Sequence, residues 1–228
     1  MQHHEAEQLT GIEKSSAPNP DASVIWMHGL GADGHDFAGI LPALQLPPAT
    51  AVRFIFPDAP MRPVTINNGM VMRAWYDIYN DRFIDGEDEQ GIVESSRLIS
   101  ALIDREIQRG IDSRRIILAG FSQGGAIALY CGLHHPRPLA GIIALSTYVP
   151  LADRLPPHSS NHPPILMLHG RFDGIVPLAL AQQSCHLLQN AGYQMTWADY
   201  PLEHNVSLDE LQTIGRWINR ILDSTGAA

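Results

Sequence analysis

Lysine is almost absent from this sequence: Lys14 is the only one. A Walker-type Gly-Lys-Ser/Thr loop and a Schiff-base lysine in the folded body are thereby excluded, unless Lys14 itself served. Long apolar runs are missing too. The longest, such as Leu139–Leu145, are strand-sized, well short of the ~20 residues needed to cross a bilayer. The polar stretch from Met1 to Ser16 has no apolar core and no small-residue cleavage site, so it does not read as a signal peptide. Cysteine occurs only at Cys131 and Cys185, too few for a disulfide framework. Free thiols and a cytoplasmic protein are the expectation. Basic residues are scarce, 15 against 24 acids, and the net charge of −9 argues against nucleic-acid binding and against strong attachment to anionic membranes.

What is present describes a globular enzyme-sized unit. The chain has 228 residues, 45% of them apolar, enough for one large domain with a sizeable core. Residues 1–20 read as a flexible arm ending in Ala17-Pro-Asn-Pro20, and 21–228 as the folded domain. Within it, short apolar runs alternate with longer amphipathic stretches. Strands are predicted at Ser23–Met27, Val52–Phe56, Arg115–Ala119, Gly141–Leu145, Ile165–Leu168 and Met195–Tyr200. Helices are predicted over His35–Leu44, Asp88–Arg109, Gln123–His134, Leu178–Asn190 and Leu208–Leu222. Continuous Val/Ile/Leu strands between helices imply βαβ crossovers, hence a mostly parallel sheet with helices on both faces. Met61–Gly86 interrupts the alternation and reads as an excursion with a small hairpin; Pro150–Pro164 reads as a surface loop. No insertion is long enough to form a large cap domain.

Two glycine motifs follow strands and imply different chemistries. Gly29-Leu-Gly-Ala-Asp-Gly34 fits the dinucleotide pattern, with Asp58 near the end of the next strand as the ribose acid. Gly120-Phe-Ser-Gln-Gly124 fits a nucleophile elbow. The elbow demands an acid and then a histidine, later in the chain and at the same sheet edge. His204 follows the Met195–Tyr200 strand in a turn, and Asp173 follows the Ile165–Leu168 strand by a short loop. Asp153 is the alternative acid. Asp199 lies inside a strand and Glu203 adjoins the base, so both are poorer choices. The hydrolase reading also uses the first motif, because acyl transfer needs N–H donors aimed at an oxyanion and His28-Gly-Leu-Gly31 stands where such a loop belongs. A nicotinamide-dependent oxidoreductase and a catalytically silent binding protein of the same fold are the alternatives. Adjacent histidines at His3-His4 and His134-His135 lack metal-ligand spacing, so no metal and no cofactor are expected. Leu30, Ile175 and Val206 flank the candidate loops and are expected at the pocket, with ordinary loop packing as their alternative.

The stretches His28-Gly-Leu-Gly-Ala-Asp33, Arg73-Ala-Trp-Tyr-Asp77, Arg115-Ile-Ile-Leu-Ala-Gly-Phe-Ser-Gln-Gly-Gly-Ala126 and His169-Gly-Arg-Phe-Asp173 with Val176-Pro177 and His204 carry a resemblance. Over about residues 22–222 the chain resembles the carboxylesterase/acyl-protein thioesterase (phospholipase/carboxylesterase) family of the α/β-hydrolase fold. The resemblance implies Ser122 as nucleophile, His204 as base, Asp173 as its orienter, and the N–H groups of Leu30 and Gln123 as oxyanion donors. It implies a small-molecule acyl ester substrate of short or medium chain, sometimes a thioester or lysophospholipid, and places Trp75 near the acyl pocket, with packing in the core or the excursion as its alternative. A homodimer is compatible with it. One departure stands out: the family commonly has Gly before the catalytic His, where this chain has Glu203.

Overall fold

In the computed structural model, residues 9–157, 159 and 162–225 are described. Each apolar run becomes a strand because its residues are buried on alternate faces. The strands are β1 (Gly11–Ser15), β2 (Ala22–Met27), β3 (Val52–Pro57), β4 (Met61–Val64), β5 (Met70–Arg73), β6 (Ile116–Phe121), β7 (Gly141–Leu145), β8 (Ile165–Gly170) and β9 (Met195–Tyr200). The helices are α1 (Leu41–Leu44), α2 (Glu89–Gln108), α3 (Gln123–His134), α4 (Leu178–Asn190) and α5 (Leu208–Thr225). Seven strands form one sheet in the order β1-β3-β2-β6-β7-β8-β9, all parallel to their neighbours except β1.

Strand β2 shows how the two layers arise. Ile25 and Met27 face a core shared with Ile92, Ile99 and Ile103 of α2, with α3 and with α4. Val24 and Trp26 face the opposite core, with Ile214, Trp217 and Ile218 of α5. Side chains alternate along a strand, so one buried run serves both layers. Each such Ile or Leu contributes roughly 1.5–3 kcal/mol by leaving water.

Local chemistry sets the helix ends. Asp88 caps α2 by accepting from Gly91 N–H at 2.9 Å. Ser207 and Glu210 form a reciprocal capping box at the start of α5. Several elements depart from the sequence expectation. The arm read over 1–20 contains β1, which pairs antiparallel with β3 from Gly11↔Pro57 to Ser15↔Arg53. Its side chains are mostly exposed, so no apolar alternation announced it; main-chain pairing and Glu13 bound to Arg105 and Arg109 hold it. The helix predicted over His35–Leu44 shrinks to Leu41–Leu44, preceded by successive turns through Asp36, Ala38 and Ile40. The expected hairpin forms inside the excursion: Thr65–Asn67 and the left-handed Asn68 and Gly69 close β4 on β5. Strands β6 and β8 each run two residues beyond their expected ends, because Gly120-Phe121 and His169-Gly170 still pair with neighbours.

The sheet order places the site. From β2 the chain moves outward to β3, then returns across to β6 on the other side. The loops leaving β2 and β6 therefore part at their C-terminal ends, where open α/β sheets hold their ligands.

Candidate active site

Ser122 stands at that point, between β6 and α3. Its backbone angles are φ 54° and ψ −121°, an outlier for a residue with a side chain. The strain is held from both sides: Ser122 N–H donates to Leu145 O at 2.8 Å, and Ser122 O accepts from Gly125 and Ala126 N–H at 2.9 and 3.1 Å. The turn closes only because Gly120 and Gly124 lack side chains. A Cβ on Gly120 would lie 2.2 Å from Gly124 O, and one on Gly124 would lie 2.5 Å from both Met27 O and His28 O.

Asp173 and His204 come to Ser122 from the ends of β8 and β9. The Asp173 carboxylate is buried, and its Oδ1 accepts from Ile175 and Val176 N–H, each at 2.9 Å. Oδ2 faces His204 Nδ1 at 2.6 Å, and His204 Nε2 lies 3.0 Å from Ser122 Oγ. Burial alone would raise the Asp173 pKa, but the His204 hydrogen bond and charge, with the two N–H groups, hold it below the usual carboxylate value. An ionised Asp173 fixes the proton on His204 Nδ1 and leaves Nε2 free to accept from the serine hydroxyl. The Phe121 ring lies 4.7 Å from the His204 ring, centroid to centroid.

Two further histidines order the loops. His169 is fully buried; its Nε2–H donates to Val176 O at 2.9 Å and lies 3.6 Å from Asp173 Oδ2. Its Nδ1 has no hydrogen-bond partner among the described residues, and burial pushes its pKa down. His28 accepts from Ala59 N–H through Nε2, which puts its proton on Nδ1, donated to Gly29 O at 2.7 Å. Burial lowers its pKa as well.

The N–H groups of Leu30 and Gln123 have no hydrogen-bond partner among the described residues. Both belong to the loops that part at the switch point. Other candidates fall elsewhere. Asp153, the alternative acid, lines a cavity of about 790 Å³ together with Ile84, Glu87, Val149 and Leu180, and none of Ser122, Asp173 and His204 lines it. Asp199 is paired with Arg171 at 2.6 Å, and Glu203 is exposed on the turn. Trp75, expected near the acyl pocket, is fully buried and presents no surface to a substrate. Its indole is committed to His28 O, which an apolar run of sequence does not reveal. Ile175 is 58% exposed beside Asp173, Val206 is half-buried against the core that includes Phe121, and the half-buried Leu30 packs on the opposite core.

The dinucleotide reading loses its structural basis. It requires a helix opening at the glycines, and turns follow Gly34 instead. Asp58 is already engaged by Gly34 N–H at 2.9 Å and Thr10 Oγ at 2.6 Å, bracing the loop it was expected to equip for ribose. No group of three or more His, Cys, Asp or Glu is placed to hold a metal among the described residues; His3 and His4 lie outside them. No described helix is long and apolar enough to cross a membrane, and Cys131 and Cys185 are both buried free thiols.

The sequence model of one family, described as Phospholipase/Carboxylesterase, matches residues 10–222. The chain belongs to this family. An acyl-protein thioesterase 1 of Schizosaccharomyces pombe is 39% identical over 209 residues, 89% of this chain and 92% of that one. An acyl-protein thioesterase 1 of Neurospora crassa is 41% identical over 208 residues, 85% and 84% of the two chains. The crystal structure of Arabidopsis thaliana SOBER1 superposes with a TM-score of 0.80 at 34% identity, covering 88% of this chain and 99% of that one. Membership makes this phospholipase/carboxylesterase-family chain a hydrolase of the α/β-hydrolase fold, with the single mostly parallel sheet described above.

What sequence reasoning missed is how the loops are joined by side chains of residues it had already named. The buried Gln123 side chain is one such link: it accepts from Trp75 N–H and donates to Tyr76 O. A polar side chain on a helix first turn that packs against the sheet needs partners, and that was the available signal.

Proposed function

We propose that the chain hydrolyses carboxylic esters and thioesters through Ser122 and an acyl-enzyme. The observation that carries this reading is the hydrogen-bonded line from Asp173 Oδ2 through the His204 ring to Ser122 Oγ, 2.6 and 3.0 Å. His204 Nε2 takes the serine proton as Oγ attacks the acyl carbonyl. The N–H groups of Leu30 and Gln123, free of other partners, receive the oxyanion. His204 then protonates the leaving alcohol or thiol. Water repeats the sequence on the acyl-enzyme, with the proton again passing through His204. Asp173 keeps the imidazole in the required tautomer and stabilises its charged form. The family description favours esters; the names of the relatives, acyl-protein thioesterases, favour thioesters of acylated proteins.

The test is hydrolysis of p-nitrophenyl esters from acetate to laurate, and of acyl thioesters followed with a thiol reagent, by wild type and Ser122→Ala. Turnover peaking at a short or medium chain and lost in the variant supports the proposal. Undiminished turnover in Ser122→Ala, or none by wild type on either class, refutes it.

A further inference from the structure

The two proposed oxyanion donors sit on separate loops, so three things must be set: the direction of each N–H and the distance between them. A trans peptide is planar, with its C=O and N–H pointing opposite ways. The direction of a donor N–H therefore follows from what holds the carbonyl of the preceding residue. For Gln123 that carbonyl is Ser122 O, held by Gly125 and Ala126 N–H in the first turn of α3. For Leu30 it is Gly29 O, held by His28 Nδ1–H at 2.7 Å and Ala32 N–H at 3.3 Å. Each direction is thus fixed within its own loop, but the separation is not.

The loops touch directly where Gly124 packs on the Met27 and His28 carbonyls, and one residue adds hydrogen bonds across the gap. The indole Nε1–H of Trp75 donates to His28 O at 2.9 Å, on the β2 loop. The main-chain N–H of Trp75 donates to Gln123 Oε1 at 2.8 Å, on the elbow, and Gln123 Nε2 returns a bond to Tyr76 O at 2.6 Å. Trp75 is itself anchored to α2, because its carbonyl accepts from Ser95 Oγ. All of these groups are buried, so none of the bonds competes with water.

We infer that Trp75 is a positioning residue, a strut that sets the separation of the Leu30 and Gln123 N–H groups. It touches neither substrate nor reacting atoms. The inference rests on the function proposed above, which makes Ser122 the nucleophile and these N–H groups the oxyanion donors. An aromatic ring alone fills the space; the strut needs the indole N–H. Removing that N–H leaves His28 O buried without its donor and frees the β2 loop to shift. Losing a whole oxyanion donor costs about 10²–10³ in kcat, so a displaced one costs roughly 10- to 100-fold.

Wild type, Trp75→Phe, Gln123→Met and the double variant are compared for kcat and KM on a p-nitrophenyl ester, per site titrated with a fluorophosphonate. The Ki of an alkylboronic acid is measured beside them, since its tetrahedral serine adduct places an oxygen in the oxyanion position. In each single variant kcat falls about 10- to 100-fold while KM stays within about threefold. The boronate Ki rises in step with the loss of kcat/KM. The double variant falls little below the worse single one, because both act on one distance. The apparent pKa of kcat/KM does not move, since no hydrogen bond joins Trp75 to Asp173 or His204. A tryptophan that only fills the core would lower thermal stability and the titratable fraction, leaving kcat per titrated site and Ki at wild-type values; that outcome overturns the strut. Where Trp75→Phe does not fold, Gln123→Met decides by the same measurements. A wild type that neither turns over acyl substrates nor takes up fluorophosphonate removes the proposed function and the strut with it. An active, labelled wild type matched by its variants removes the strut alone.

Discussion

Replacing Asp173 by Asn changes one atom and reverses a proton. Asp173 Oδ1 accepts two backbone N–H groups at 2.9 Å, while Oδ2 accepts from His204 Nδ1 at 2.6 Å. An asparagine can lie two ways in this site. With its NH₂ toward Ile175 and Val176, donors face donors and two buried N–H groups lose their acceptor, at about 1–3 kcal/mol each. With its oxygen there instead, the NH₂ faces His204 Nδ1, which must then accept. The second orientation wins by that margin. It forces the His204 proton onto Nε2, where it faces Ser122 Oγ and cannot take the hydroxyl proton. The expected loss in kcat is on the order of 10⁴, about 5.5 kcal/mol, with little change in KM or thermal stability. The assay is steady-state hydrolysis of a p-nitrophenyl ester, with Asp153→Asn as the control. Asp153 lines a different cavity and its variant should stay within about threefold of wild type. An Asp173→Asn enzyme within tenfold of wild type, or a larger loss in Asp153→Asn, would refute the reasoning.

Other perturbations bear on the same scaffold. Gly124→Ala places a methyl 2.5 Å from the carbonyls of Met27 and His28, which are backbone and cannot step aside. It should cost about 1–3 kcal/mol and lower Tm by roughly 2–12 °C, and an unchanged melting curve would contradict the close approach. His28 and His169 are neutral in the fold, with pKa values below the ordinary 6.5 because they are buried. As pH falls below 6.5 the unfolded chain therefore binds protons that the folded one resists, and stability drops toward the folded pKa values. The urea midpoint should fall between pH 7.5 and 5, less steeply in His169→Gln; parallel profiles would speak against a neutral buried His169.

The parallel strands were readable as unbroken apolar runs, because burial on both faces removes polar residues from the strand itself. Strand β1 was not readable, since Gly-Ile-Glu-Lys-Ser is exposed and owes its place to main-chain bonds with β3. The helix expected from His35 failed for a related reason. Asp33 accepts from His35 N–H in a side-chain turn, and Pro42 sits at the start of the only helical turn that forms. One rule, a shared sheet edge in a given chain order, narrowed the candidates to Ser122, His204 and either Asp173 or Asp153; the resemblance favoured Asp173, and Asp173 is the one that lies 2.6 Å from His204. Trp75 shows the limit of such rules. Whether a tryptophan lines a pocket or bridges two loops depends on partners 47 and 48 residues away, and nothing local encodes that distance.

The hydrogen-bonded line from Asp173 through His204 to Ser122 is also a record of assembly. Its members hang from β6, β8 and β9, and the His204–Ser122 contact closes a span of 82 residues. No N-terminal fragment that ends before β9 contains His204, and among the described strands β9 pairs with β8 alone. A chain still emerging from the ribosome would carry the strained serine long before the histidine that sharpens it. On the mechanism proposed above, activation of Ser122 therefore waits until β9 completes the edge of the sheet.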